Sequence, residues 1–317
     1  MFSDYKQAFK EQEERIESGS TNKPVMVGMA AVKTLAINPT EADLKEIIGD
    51  VASRFDTKYA TSPDQYNDGK PSRTINFWFT DKEEQVSPLI VGIKLVNTPR
   101  VSQKGKPQYW IMRSGTAGDS EWNMLSTLWS DEVKVGDVVN KTSASGNEYT
   151  ETVLKEAKVG EEDYYLLLKN MLKWPDDTTF FEALEKEGLD FDTVFGGDFE
   201  GLHKLVTYLT PEVEDEENKV KTFIGLFTAR VKNDGRIVQS FAMKNSTWFY
   251  NNYGGPTKGM IKAVEQEREK RFKHDGLDII KDKYALIDHL QPYSDELVKE
   301  VAVPNVSAQA AFDDLFE

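Results

Sequence analysis

Short segments of alternating apolar and polar residues recur along the first half of the chain. "RTINFWFT" at 73–80 and "SPLIVGIKLV" at 87–96 are rich in β-branched and aromatic residues, and the polar turn "DKEEQ" separates them. "VMVGMAAVKTLAI" at 25–37 and "YWIMRS" at 109–114 have the same character. Runs of this kind between turn-forming residues predict a meander of short strands.

The hydrophobic period changes to that of a helix after Thr150. Three segments there predict helices: "GEEDYYLLLKNMLKW" at 160–174, "DDTTFFEALEKEGL" at 176–189 and "GDFEGLHKLVTYL" at 197–209. Earlier in the chain, Thr40 is predicted to be the N-cap of a short helix, "EADLKEIIG".

The strand pattern returns at 219–245. "KVKTFIGLFTARV", the turn "KNDGR" and "IVQSFAMKN" predict a β-hairpin, because Asp-Gly is the strongest short hairpin signal. A Gly- and Pro-rich connection follows, and then "MIKAVEQEREKRFKHDG" at 260–276 predicts a helix that ends on glycine.

Charge is distributed unevenly over the 317 residues, whose formal net charge is −15. Segment 90–116 has five basic residues and no acid, and segment 219–250 has six basic residues and one acid, Asp234. An acidic average argues against nucleic-acid binding, but these two cationic segments restore that option. Both of them lie in predicted strands.

Several function classes find little support in the sequence. There is no cysteine, and the three histidines are far apart, so we expect no metal site. The chain has no apolar stretch of about 18 residues and no secretory signal at its N-terminus, so we expect a cytoplasmic protein without a membrane span. "GGPTKGM" at 254–260 lacks the Gly-Lys-Ser/Thr step of a phosphate loop. No catalytic set stands out, and we expect a non-enzyme without a cofactor.

Aromatic residues interleaved with cations on strands suit single-stranded DNA. Each base can stack on a ring, while Lys and Arg neutralise phosphates. In "RTINFWFT", alternation places Trp78 on one face and Phe77 and Phe79 on the other, so that one face forms core and the other is a candidate platform. We expect phosphate contacts from Arg100, Lys104, Lys106, Arg113, Arg230, Lys232 and Arg236. We expect base stacking by Trp78, Tyr109, Trp110, Phe227 and Trp248. The alternative for each aromatic residue is a packing role in the core.

A curled sheet with such a face is the solution of the OB-fold. We therefore predict an α+β fold with an OB-like antiparallel β-barrel core, a helical insertion and a disordered acidic C-terminal tail. The predicted parts are an N-terminal arm (1–24), the first part of the core (25–150), the insertion (151–218), a β-hairpin and helix completing the core (219–303) and the tail (304–317).

The last residues, "AFDDLFE", combine acid with exposed apolar groups. Such a tail can compete with DNA for a cationic groove through its carboxylates and can bind replication or recombination partners through its apolar side chains. The predicted partner-binding residues are Phe312, Asp313, Asp314, Leu315 and Phe316. The alternative is a disordered end of chance composition.

Four segments resemble single-stranded DNA-binding proteins of tailed bacteriophages, especially the crAss-like group. They are "VKTLAINPTEADL", "TPRVSQKGKPQYW", "AKVGEEDYYLLLKNMLKW" and "FGGDFEGLHKLV". The resemblance implies an OB-like binding core, a helical insertion and an acidic tail. It also implies a phage-encoded protein in the cytoplasm of a bacterial host, with self-association along DNA as an option that the sequence leaves open.

Two other functions remain as alternatives. The first is a structural or assembly protein of the virion, which would use the same aromatic residues as anchors of protein contacts. The second is a metal-dependent nuclease that uses Asp64 and Asp68 of "PDQYNDGK", although both lie in one predicted loop.

Overall fold

Antiparallel β-structure makes up most of the described chain, and a few short helices accompany it. The computed structural model describes residues 24–49, 64–66, 70–84, 86, 88–144, 146–172, 174, 177–197, 202, 205, 222–231, 237–242 and 286–289. The strands are β1 (Val25–Ile37), β2 (Asp64–Tyr66), β3 (Lys70–Asp81), β4 (Leu89–Pro99), β5 (Gln108–Ala117), β6 (Ser120–Trp129), β7 (Val138–Thr142), β8 (Glu148–Glu156), β9 (Lys158–Val159), β10 (Phe223–Val231), β11 (Ile237–Ala242) and β12 (Leu286–His289). The helices are α1 (Glu41–Ile48), α2 (Glu161–Leu172), α3 (Phe180–Lys186) and α4 (Phe191–Gly196), with a 3₁₀ turn at Asp177–Thr179.

The strands form two sheets. The first has the order β11-β10-β1-β3-β4-β9, with β12 paired to β1 and β2 paired to β3. All its pairings are antiparallel except that of β12, which runs parallel to β1. The second sheet has the order β6-β5-β8-β7 and is antiparallel throughout. The prediction of an α+β fold rich in antiparallel β-structure is confirmed.

Helix α2 links the two sheets through adjacent tyrosines. The Tyr164 ring lies 6.5 Å from the Phe77 ring of β3, and the Tyr165 ring lies 5.6 Å from the Trp110 ring of β5, measured between centroids. Phe77 and Phe79 face this same core from β3. The main hydrophobic core therefore lies where α2, α3 and α4 meet one face of each sheet.

The opposite face of β3 is also covered. Trp78 packs with Ala36 of β1 and Leu44 of α1. Helix α1 is held at its start by Thr40, whose hydroxyl accepts from the Asp43 N–H, while the Asp43 carboxylate accepts from the Thr40 N–H at 2.8 Å. This capping box confirms the predicted N-cap. Because α1 lies over this face, Trp78 has no open side.

The predicted strands at 25–37, 73–80, 87–96 and 109–114 are confirmed by β1, β3, β4 and β5, and the predicted hairpin is confirmed by β10 and β11. In the segment predicted as a helical insertion from residue 151, the first helix begins at Glu161, because β8 and β9 occupy 148–159. Helix α4, capped by the Asp190 side chain, was not predicted. The N-terminal arm to residue 23, the helix at 260–276 and the tail lie outside the described residues.

In the part of the chain that the structure describes, no helix has the length and apolar character needed to cross a lipid bilayer.

Candidate nucleic-acid interface

A tight turn after β4 presents lysines to solvent. Val101 and Pro107 form a β-bridge at its base, and the Gly105 N–H donates to the Ser102 carbonyl at 2.9 Å. Gly105 has φ of +79°, which glycine adopts without steric cost. Lys104 therefore lies exposed at the tip of the turn, with Lys106 at its edge.

Trp129, the last residue of β6, lies beside this turn. The Ser130 N–H donates to the Pro107 carbonyl at 3.1 Å, which joins the end of β6 to the turn. Trp129 is 38% exposed, and the Arg100 guanidinium lies 5.4 Å from its ring centroid. We call Arg100, Lys104, Lys106 and Trp129 the Trp129 corner. It combines an accessible aromatic ring with three cations.

Glu162, in the first turn of α2, positions Arg100. Its carboxylate accepts from Arg100 Nη1 at 2.6 Å, from Gln108 Nε2 at 3.0 Å and from Thr127 Oγ1 at 2.7 Å. An Arg side chain has five N–H donors, so this pairing leaves others for a second anion. The guanidinium is thus held in place against Trp129 before any ligand binds.

The two lysines of the corner are held more loosely. Lys106 Nζ lies 3.1 Å from Asp131 Oδ1, and both side chains are exposed. The Lys106 ammonium lowers the pKa of Asp131, chiefly through this hydrogen bond. An ion pair exposed to water is weak, so a phosphate can replace Asp131 at small cost. The Lys104 side chain makes no hydrogen bond or ion pair with the described residues.

Arg113 is less available than the corner cations. It lies opposite Glu151 in the register of β5 and β8, and its Nε donates to Glu151 Oε1 at 3.0 Å. The Glu151 side chain is almost fully buried and the Arg113 side chain is largely buried. The Arg113 side chain is 18% exposed, against 31% for that of Arg100, so Arg113 is less accessible to a phosphate.

Four of the predicted stacking residues lie in packed positions. Trp78 is 3% exposed, Tyr109 8%, Trp110 1% and Phe227 1%. Trp78 is covered by α1, and Tyr109 packs with Ile111 and Val153. Trp110 and Phe227 belong to the main core. A ring without an open face cannot stack on a base, so these four have a packing role that differs from the predicted one.

Other predicted site residues lie wholly or partly outside the described part of the chain. Arg230 lies opposite Val238 in the β10–β11 hairpin, but its side chain is outside the described part. Several further residues lie wholly outside it: Lys232, Arg236, Trp248, Phe312, Asp313, Asp314, Leu315 and Phe316. Of the nuclease pair, Asp64 is in β2 and Asp68 is outside the described residues.

Trp129 was missed by the sequence analysis, although a signal for it exists. It ends the alternating run "SEWNMLSTLW" immediately before the polar segment "SDEVKVGD". An aromatic residue at the end of a strand lies where a neighbouring layer often no longer covers it.

The alternative of a metal-dependent nuclease receives no support from the described residues. They contain no group of three or more His, Asp or Glu able to hold an ion.

In comparisons with known proteins, no family model, no curated protein and no solved structure matches this chain.

Proposed function

We propose that the protein binds single-stranded DNA without strong sequence preference and that the Trp129 corner is part of its binding surface. The observation that carries this proposal is the exposed Trp129 ring beside the Arg100 guanidinium, on a turn that also carries Lys104 and Lys106. A base stacks on the ring while the cations hold the adjacent phosphates.

The energetics favour a single strand over a duplex. Stacking of one base on an aromatic side chain contributes about 1–3 kcal/mol, and every base offers such a face. In a duplex the bases are stacked on one another and their faces are not available to Trp129. The cations add affinity by releasing counterions from the phosphates, which makes binding depend on salt.

Further parts of the proposal rest on the sequence. We assign the core to an OB-like barrel and the tail, with Phe312 and Phe316, to recruitment of replication or recombination proteins. The resemblance of four segments to phage single-stranded DNA-binding proteins supports a phage-encoded protein acting in the cytoplasm of a bacterial host.

The second candidate is a structural or assembly protein of the virion. Val135 and Val138 favour it, because both are exposed apolar residues. Val138 begins β7, an edge strand of the second sheet, and Val135 lies in the loop before it. An edge strand with exposed apolar residues suits a contact with another protein chain. This function predicts no affinity for oligonucleotides.

Intrinsic tryptophan fluorescence during titration with oligo-dT tests the proposal, with duplex DNA as the comparison and several salt concentrations. We expect quenching by oligo-dT that weakens with salt and little effect of the duplex. Absence of a change with either DNA at low salt would contradict the proposal and favour the assembly protein.

A further inference from the structure

A row of four residues crosses the second sheet at the end opposite to Trp129. Gly115 of β5 lies opposite Trp122 of β6 on one side and opposite Tyr149 of β8 on the other. Lys141 of β7 lies opposite Tyr149. Directly opposed residues point to the same face of a sheet, so Trp122, Tyr149 and Lys141 share one face.

Gly115 lies directly beneath the Trp122 ring. A Cβ atom at Gly115 would lie 2.6 Å from Cζ2 and 2.9 Å from Cε2 of Trp122, so the indole rests directly on the glycine backbone. The Trp122 and Tyr149 ring centroids are 6.2 Å apart with the planes inclined at 42°. Both rings are half-buried. The absence of a side chain at Gly115 is what lets the indole extend across β5 toward Tyr149.

The charge on this face favours an anion weakly. Lys141 is exposed, and the next row contains Arg113 balanced by Glu151. Glu121 and Glu148 precede the two aromatic residues in sequence, so strand alternation directs them to the opposite face. Within the row itself, Lys141 is the charged residue.

The architecture around the row resembles a known solution for single strands. The sheet has four antiparallel strands, and its other face packs on α2 and α3 through Trp110, Tyr165 and Phe181. Four-stranded sheets backed by helices bind single-stranded nucleic acid by stacking bases on aromatic residues of their strands.

We propose that Trp122 and Tyr149 form a second stacking subsite for bases of single-stranded nucleic acid and that Lys141 binds the phosphate next to the stacked base. This inference rests on the proposed function and extends it. Trp129 lies seven positions after Trp122 in β6, which corresponds to roughly 23 Å along an extended strand. This odd spacing places the two indoles on opposite faces. A short oligonucleotide therefore occupies one subsite, and a long one reaches both.

The test compares oligo-dT of about 6 and about 30 nucleotides, a range chosen around the usual site sizes. Tyr149→Leu removes one ring, and Gly115→Ala forces the Trp122 indole off the sheet. We expect both variants to bind the long oligonucleotide roughly tenfold more weakly than the wild type and to leave the affinity for the short one within about twofold of it. Thr116→Ala, at an exposed neighbouring position, is the matched control and should change neither affinity.

Lys141→Gln gives a second readout at an exposed position that does not depend on ring packing. We expect it to lower the log–log salt slope for the long oligonucleotide by about 0.7. Wild-type affinity for the long oligonucleotide in all three variants, with binding that still depends on Trp129, would overturn the second subsite and leave the proposed function intact. Absence of wild-type binding to either oligonucleotide would overturn both.

Discussion

The Arg100 guanidinium lies 5.4 Å from the centroid of the Trp129 ring, and its Nη1 donates to Glu162 at 2.6 Å. This contact joins the end of β4, the end of β6 and the first turn of α2. Since Arg100 is fixed from two sides, a ligand at the corner need not order its guanidinium, and binding avoids that entropic cost.

The lysines of the Trp129 corner should each contribute one phosphate contact. We expect Lys104→Gln and Lys106→Gln each to lower the log–log salt slope for oligo-dT binding by about 0.7. At a fixed salt concentration Lys104→Gln should cost more affinity, because Lys106 must first leave Asp131. Fluorescence titration at several salt concentrations measures both quantities.

Lys186→Gln on α3 is the control for these two variants, because it also removes one exposed positive charge. Its salt slope should match that of the wild type. An equal fall in the slope for Lys186→Gln would mean that the corner has no special part in binding.

Glu161 is expected to stabilise the junction between α2 and the second sheet. Its buried carboxylate accepts from Trp110 Nε1 at 3.1 Å, from the Lys158 N–H at 2.8 Å and from Lys155 Nζ at 2.6 Å. Glu161→Ala leaves the buried indole N–H without its acceptor, so the free energy of unfolding should fall by on the order of 3 kcal/mol. Urea denaturation measures it.

Glu185→Ala on α3 is the matched control, since this glutamate is exposed. We expect a change within about 0.5 kcal/mol. A comparable loss of stability in both variants would contradict the assigned role of Glu161.

Tyr164 should make the protein sensitive to alkaline pH. Burial, with a smaller contribution from Asp190, raises the pKa of Tyr164 well above its ordinary value, and its hydroxyl donates to the Leu189 carbonyl at 2.9 Å. Above pH of about 10 the unfolded chain loses this proton while the folded protein keeps it. The free energy of unfolding therefore falls as pH rises through this window, by up to about 1.4 kcal/mol per pH unit for this one group.

Tyr164→Phe should lose about 1 kcal/mol at neutral pH through the missing hydrogen bond. Above pH of about 10 its stability should fall less steeply than that of the wild type, so the two curves converge. Urea denaturation between pH 8 and 11 (~0.5-unit steps) follows this trend. Parallel curves over that range would show that Tyr164 does not carry the effect.

The sequence predicted strands where β-branched and aromatic residues concentrate, as in β3 and β4. It also predicted the cap at Thr40, because a hydroxyl before a helical segment acts locally. Alternation separated Trp78 from Phe77 and Phe79 correctly. It could not show that α1 would return over the Trp78 face, because that contact depends on tertiary packing.

The candidate site was harder to predict because its partners are distant in the sequence. Segment 90–116 has no acid of its own. The fold nevertheless brings Glu162 to Arg100, Asp131 to Lys106 and Glu151 to Arg113, over separations of 62, 25 and 38 residues. Charge counting along the chain therefore overstated the free positive charge of this segment.

Among the tryptophans, composition and alternation do not separate a core ring from an exposed one. Trp110 and Trp129 lie on the neighbouring strands β5 and β6, yet Trp110 is 1% exposed and Trp129 is 38% exposed. The difference arises because Trp110 faces α2 and α3, whereas Trp129 ends its strand beside the turn at 101–107.

The most direct test of the central claim is the affinity of fluorescently labelled oligo-dT for the wild type, Trp129→Phe and Trp129→Ala, measured by anisotropy at one low salt concentration. We expect Trp129→Ala to weaken binding by about 1–3 kcal/mol and Trp129→Phe to keep much of the affinity, because a smaller ring still stacks. Equal affinities for all three proteins, or no binding by the wild type, would contradict the account.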